Sequence, residues 1–243
     1  MIEEIRAIDI RKSYNGIFTL YCSLTLSAGP VYALLGPNGS GKSTLLKILA
    51  LLDRPHSGNI HVRENTTLYV DPFDSLELRR KFLLVPTKTV LFNDTVFNNV
   101  AYGLKIRKMK KRTIKQKTEE ALEKVNLLHL AYTKAYKLSS GEAQRLSVAR
   151  AIALKPDVLL LDEPTVSLDP ENTSIIEQII LDFARESHRI ILLVTHNIFQ
   201  AKRLSEEVIF IYKGEILEQA STGEFFKNPK TDIASKFIAG EVY

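Results

Sequence analysis

The chain holds a single cysteine, Cys22, among 243 residues, and nowhere does it run for the ~18 consecutive apolar residues that a membrane-spanning helix needs. The first scarcity excludes an internal disulfide framework and fits a reducing compartment. The second excludes a bilayer-crossing helix, because purely aliphatic stretches such as Val158–Leu161 and Ile190–Val194 are short. The opening residues, Met1-Ile2-Glu3-Glu4-Ile5-Arg6, are charged at once and lack the apolar centre of a secretion signal. A soluble, intracellular chain is therefore expected. Apolar residues make up 45% and charged residues 25%, which is ordinary for a globular protein and excludes wholesale disorder or collagen. At ~150 residues per domain, the length allows one or two domains and a sizeable core.

The net charge of +5 is unevenly spread. Lys105, Arg107, Lys108, Lys110, Lys111, Arg112, Lys115 and Lys117 fall within thirteen residues that contain no acid. Without these eight, 25 basic residues face 28 acidic ones, so one segment makes an otherwise slightly acidic chain basic. Three readings of that segment are open: a solvated helical face, attraction to an anionic cytoplasmic leaflet, or nucleic-acid binding. The last is disfavoured, because no aromatic residues interleave the cations for base stacking.

Ile5–Ile10 and Leu20–Leu26 mix apolar and polar residues in short runs, suggesting half-buried strands, whereas Val31–Leu35 is continuously apolar, as expected of a strand covered on both faces. A glycine-rich turn and a helix-spaced stretch, Ser43–Leu52, follow it. Val158–Leu161 and Ile190–Val194 read as two more buried strands. Between them a helix is predicted from Asp169, as N-cap before Pro170, to about Ser187. Strand character disappears from about 93 to 155, where Glu119–Leu130 and Glu142–Leu154 read as helices. The order strand–loop–helix points to a parallel α/β sheet with an inserted helical subdomain.

Gly36-Pro37-Asn38-Gly39-Ser40-Gly41-Lys42-Ser43, continuing into Thr44, matches G-x-x-x-x-G-K-[ST] directly after a strand and at the start of a helix. Glycines let successive backbone N–H groups curl around a phosphate, and the helix N-terminus adds its positive dipole end. Lys42 supplies a point charge for the β- and γ-phosphates, and the Ser43 hydroxyl a ligand for Mg²⁺. A chance match in a chain of this length has a probability of roughly 0.01, so the stretch is read as a nucleoside triphosphate site.

Val158–Leu161 runs into Asp162 and Glu163, a carboxylate pair at a strand's C-terminal end, where ligands bind in open α/β sheets. Asp162 is suited to hold Mg²⁺ through water, and Glu163 to orient or deprotonate an attacking water. Two further features carry a bland and a functional reading alike. Leu138-Ser139-Ser140-Gly141-Glu142 has the pattern of a helix N-cap with an acid in the first turn. His196, after a buried strand, is either a structural hydrogen-bonder or a catalytic group.

Taken together, these residues resemble the ATP-binding subunit of an ABC transporter over essentially the whole chain. Gly36–Ser43 stands as Walker A, Leu138–Glu142 as the family signature with Gln144 and Arg145 behind it, Leu159–Glu163 as Walker B, Ser167–Asp169 as the D-loop and His196 as the switch histidine. The resemblance implies a P-loop NTPase core, mainly a parallel sheet with an N-terminal antiparallel β subdomain, over 1–92 and 156–243. Residues 93–155 would form the inserted α-helical subdomain. It implies an ATPase using ATP and Mg²⁺, with Tyr14 stacking on adenine; a strand-end core role is the alternative for that tyrosine. It further implies a head-to-tail homodimer in which Ser139, Ser140, Gly141, Glu142 and Asp169 act across the interface, while Lys42, Glu163 and His196 serve catalysis in their own chain.

Two positions depart from the family pattern. Thr87 stands where a glutamine usually touches Mg²⁺ or the lytic water, implying weaker coordination or slower turnover. Ser140 replaces a glycine, placing a Cβ near the partner's phosphate or in a backbone conformation that glycine tolerates better. Leu91–Leu104 resembles the matching stretch of oxyanion importers, and Leu49–Pro55 that of tungstate-type importers. The implied partners are integral membrane permease subunits and a solute-binding protein, not nucleic acid. The implied place is the cytoplasm, peripheral on the inner face of the cell membrane. The alternatives are a soluble ABC ATPase acting on a protein complex, such as one for iron–sulfur cluster assembly, and a nucleotide-binding module that hardly hydrolyses.

Overall fold

The computed structural model describes residues 1–14, 18–186 and 188–242. In chain order the elements are β1 (Ile2–Tyr14), β2 (Phe18–Ser27), β3 (Val31–Leu35), α1 (Lys42–Leu49), β4 (Ser57–Glu64), β5 (Thr67–Val70), α2 (Leu76–Arg79) and β6 (Phe82–Val85). Then come α3 (Val96–Ile106), α4 (Lys111–Lys124), α5 (Ser140–Ile152), β7 (Val158–Asp162), α6 (Pro170–Arg185) and β8 (Ile190–Val194). The chain continues through α7 (Ile198–Leu204), β9 (Glu207–Tyr212), β10 (Glu215–Ser221), α8 (Thr222–Lys227) and α9 (Asp232–Ile238).

Two compact units result. The first comprises residues 1–84, 157–163 and 187–243; the second comprises 85–156 and 164–186. The helical unit thus begins earlier than the expected residue 93 and takes in α6, which the sequence reading placed in the α/β core. The reason lies in local packing: Gly141 of α5 presses against Asn172 of α6, and α6 turns Ile176, Ile179, Ile180 and Phe183 inward.

In the α/β unit, a six-stranded sheet has the order β10-β9-β3-β8-β7-β6. Strand β3 lies parallel to both β8 and β9, and β7 lies parallel to β8. Every residue of β3 and β8 is buried, which is why these strands read as unbroken apolar runs. The second sheet, β2-β1-β4-β5, is antiparallel. Strand β1 buries Ile5 and Ala7 at odd positions but Ile10 and Lys12 at even ones. A bulge between Ala7 and Ile10, with Asp9 at φ 49°, supplies the extra residue that returns the apolar face inward. Opposite it, a Cβ on Gly58 would lie 2.3 Å from the Asp9 carbonyl oxygen, so only glycine fits there.

In the helical unit, caps set the boundaries. Thr95 caps α3 and Asp169 caps α6, with Pro170 at the first helical position as expected. The expected helix Glu119–Leu130 is corrected to Lys111–Lys124. Its buried face is Ile114, Thr118, Ala121 and Leu122 at helical spacing. It stops at Asn126, which takes φ 55°, while Leu127 N donates to the Leu122 carbonyl at 2.8 Å to close a Schellman turn. Helix α5 likewise starts at Ser140 and ends at Ile152, two residues ahead of the expected span. Among the described residues no helix is long and apolar enough to cross a membrane.

Candidate functional site

Within the α/β unit, the parallel strands end in the residues that the sequence singled out. After β3 the backbone turns at Gly36, where a Cβ would stand 2.0 Å from the Ile211 carbonyl oxygen. It passes Gly39 at φ 76° and enters α1 through Gly41 at φ 106°. Lys42 is 7% exposed, and its Nζ donates to the carbonyls of Gly36 and Pro37, at 2.8 Å each. Burial lowers its pKa, opposed by the charges of Glu163 and Asp162. The lysine therefore sits coiled inside its own loop, its charge facing the two carboxylates. The Ser40 hydroxyl is buried with no hydrogen-bond partner, a donor left over within the cradle.

Ser43 Oγ donates to Asp162 Oδ2 at 2.9 Å, joining the helix start to the end of β7. This hydroxyl–carboxylate pair fits a small hard cation whose remaining ligands are phosphate oxygens and water. Among the described residues no group of three or more His, Cys, Asp or Glu side chains is placed to hold a metal ion by itself. Glu163 takes φ 48°, a left-handed conformation costly for a non-glycine residue, and its N–H donates to the Val194 carbonyl at 3.0 Å. Its Oε2 lies 3.4 Å from Nδ1 of His196, whose side chain is 62% exposed. Gly36, Pro37, Asn38, Glu163 and His196 share a cleft of about 280 Å³. Phe237, Gly240 and Val242, near the end of the described chain, complete its wall. No motif signals that contribution, since Phe237 reads as one more core aromatic.

Tyr14 ends β1 with its ring 43% exposed, which excludes the core role. Its hydroxyl donates to Asp53 Oδ2 at 2.5 Å, and Lys12 Nζ donates to Asp53 Oδ1 at 2.6 Å. The hydrogen bond to Asp53 raises the tyrosine's pKa, and one from the Thr44 side chain lowers it, so Tyr14 neighbours the third residue of α1. Asp53 as the anchor of this ring was missed.

The helical unit gathers the serine turn and the acidic cap. Ser139 caps α5 through a full capping box: its Oγ accepts from Glu142 N at 3.3 Å, while Glu142 Oε2 accepts from Ser139 N at 2.8 Å. That backbone hydrogen bond holds the Glu142 carboxyl below its usual pKa. Ser140 is exposed in the first turn of the helix with an ordinary φ, so its replacement of glycine strains no backbone. Gly141 is the residue without room: an added Cβ would come within 2.6 Å of the Asn172 side chain. Asp169 holds Asn172 in place, accepting from its N–H at 2.8 Å and its Nδ2 at 2.6 Å. Asn172, which the sequence reading passed over, thereby links the serine turn to the start of α6. Thr87 is half-buried just after β6, and two residues on, Thr89 Oγ1 donates to Gln144 Oε1 of α5.

Comparison with known proteins accords with this geometry. Residues 21–166 match the family model described as ABC transporter. The chain is 39% identical over 216 residues to the tungstate uptake system ATP-binding protein TupC of Peptoclostridium acidaminophilum, covering 88% of this chain and 97% of the relative. It is 36% identical over 253 residues to the phosphate import ATP-binding protein PstB of Pyrobaculum aerophilum, covering 99% of each. Among solved structures, the dimeric post-hydrolysis ATP-binding cassette MJ0796 with ADP and Pi superposes with a TM-score of 0.79 at 28% identity, over 90% of this chain and 98% of the other. For cbiO1 of Clostridium perfringens, part of the ABC transporter complex cbiONQ, the TM-score is 0.82 at 26% identity, over 94% and 92%. Cradle, acid pair, fold and relatives agree: the chain belongs to the ABC transporter ATP-binding family and is an ATPase with the α/β P-loop fold.

Proposed function

We propose that this chain is the ATP-hydrolysing subunit of a membrane solute importer whose cargo is an oxyanion of the tungstate class. The observation that carries the ATPase chemistry is the convergence of buried Lys42, the Ser43–Asp162 pair and the Glu163–His196 pair on one edge of one sheet. The names of the tungstate and phosphate relatives support the importer reading over a soluble ATPase acting on a protein complex.

In this reading the N–H groups from Gly36 to Thr44 wrap the triphosphate, Lys42 neutralises its β- and γ-oxygens, and Tyr14 stacks on the adenine. Ser43, and Asp162 through water, hold Mg²⁺, which supplies charge neutralisation for the transferred phosphoryl group. Glu163 accepts the proton of the attacking water, its carboxylate set by the strained backbone, and His196 donates to the γ-phosphate and orients Glu163. Thr87, where the family usually carries a glutamine, has a hydroxyl shorter than that amide, and weaker Mg²⁺ coordination or slower turnover is the expected result. A second copy offers Ser139, Ser140 and Gly141, with Glu142 bracing the turn and Asp169 beside it, so that ATP holds two chains together until hydrolysis releases them. Permease subunits, served by a solute-binding protein, would receive that motion. The ATPase would work in the cytoplasm, peripheral on the inner face of the cell membrane.

Steady-state hydrolysis tests the chemistry. Glu163→Gln is expected to lower turnover by ~100-fold or more while ATP binding persists; an unchanged rate would overturn the assignment. Affinity purification from membranes tests the importer. An integral membrane permease should accompany the chain, and recovery of soluble partners alone would count against transport.

A further inference from the structure

The cationic segment 105–117 plays no part in the chemistry above, and the structure shows that it is not simply one solvated face of a helix. Lys105 lies in the last turn of α3, Lys108 and Lys110 on the connecting turn, and Lys111, Arg112, Lys115 and Lys117 in the first two turns of α4. That turn is firmly built. Lys108 takes φ 55° at a position that favours glycine, its N–H donates to the Lys105 carbonyl at 2.9 Å, and Met109 N donates to the Leu104 carbonyl at 3.3 Å. Met109 packs on Ala101, Leu104 and Ile114, and Arg107 Nη1 donates to the Leu154 carbonyl at 3.3 Å. The charges are thus presented on an ordered surface.

Little inside the protein answers them. Among the described residues, Lys115 reaches Glu119 at 3.9 Å, while Lys108, Lys110, Lys111, Arg112 and Lys117 make no ion pair. Helix α4 begins without a side-chain cap and without an acid in its first turn, although cations at that end oppose the helix dipole. Such an arrangement lowers stability locally and favours an external anion. Beside the cations, Ile106 is 53% exposed and Tyr102 47% exposed, with the Tyr102 ring 4.4 Å from that of Phe92.

We infer that residues 105–117 form a docking surface for an anionic phospholipid bilayer. Cations bordering an exposed aliphatic and an aromatic side chain match the headgroup–acyl boundary, where each kind of group finds its solvent. A nucleic acid would instead call for base-stacking rings between the cations, and they are absent from the segment. Outside this segment the chain carries more acid than base, so the net positive charge resides in this segment. The inference stands apart from the cargo and from ATP turnover.

Cosedimentation of the purified full chain with vesicles tests it without any permease. Binding is expected to vesicles of phosphatidylcholine containing about a third phosphatidylglycerol, and not to phosphatidylcholine alone, with loss on raising salt as the ~8 Å physiological screening length shortens. The triple substitution Lys108→Glu, Lys111→Glu, Arg112→Glu should weaken binding by roughly tenfold or more. The same reversal at exposed Lys227, Lys230 and Lys236 should leave it within about twofold, and both variants should keep wild-type ATP hydrolysis as evidence of folding. Equal losses in the two triple variants, equal binding to neutral vesicles, no binding to anionic ones, or displacement by short duplex DNA in preference to lipid would each overturn the proposal.

Discussion

The two compact units are held in place by different means. In the α/β unit, β3 and β8 are buried along their whole length, and residues far apart in sequence register side by side, as Leu34 does with Val194. The helical unit adds local devices to its packing: the Ser139–Glu142 box, the Asp169 cap and the αL stops at Lys108 and Asn126. The contrast teaches that the α/β unit fixes its chemical groups through non-local packing, where an error has nowhere to relax. The helical unit places its groups through short-range hydrogen bonds, whose loss is smaller and separable.

The largest expected loss of function is on the packed side. Gly36→Ala would drive a Cβ against the Ile211 backbone carbonyl, which no side-chain rotation relieves. A cost of ~3 kcal/mol or more, with loss of nucleotide binding, is expected in thermal melts and binding titrations. Next is a matched pair of cavities. Leu160→Ala in β7 should destabilise by about 4–5 kcal/mol, and Leu104→Ala in the small cluster with Ala101 and Ile114 by about 2–3, measured by denaturant unfolding. Equal values would erase the distinction between the units.

Smaller still is the clash of Gly141→Ala with Asn172, at about 1–3 kcal/mol. Because the obstructing atoms belong to a side chain, Asn172→Ala should restore most of the loss in a double-mutant cycle. Ser139→Ala should cost about 1 kcal/mol through the cap. Glu142 carries the smallest, pH-dependent part. Its folded pKa lies below the ordinary carboxylate value, so its contribution is present above that value and fades as pH falls through the folded pKa. The stability gap between wild type and Glu142→Gln should therefore be open at neutral pH and close in acid, as read from unfolding midpoints.

The same contrast explains what could be read from the sequence. Val31–Leu35, Val158–Leu161 and Ile190–Val194 were legible because strands covered on both faces need apolar residues throughout. The phosphate loop and acid pair were legible because their chemistry admits few residue types. Helix α4 was misplaced because its cations overwhelm the thin apolar face of Ile114, Ala121 and Leu122, and because Asn126 does a stopping job usually given to glycine. The bulge in β1, the Lys12–Asp53–Tyr14 cluster, Asn172 against Gly141 and the Phe237 wall of the cleft arise from approaches of residues distant in sequence or from one backbone kink. No periodicity announces them.

The position of β3 has a consequence for biosynthesis. This strand, which leads into the phosphate loop, finds its two neighbours only in Ile190–Val194 and Glu207–Tyr212. At ~5–20 residues per second a ribosome takes roughly ten to thirty seconds to travel from one to the other. Throughout that interval the nascent chain holds a complete glycine-rich sequence with no sheet behind it, so nucleotide capture must wait until nearly the last strands emerge.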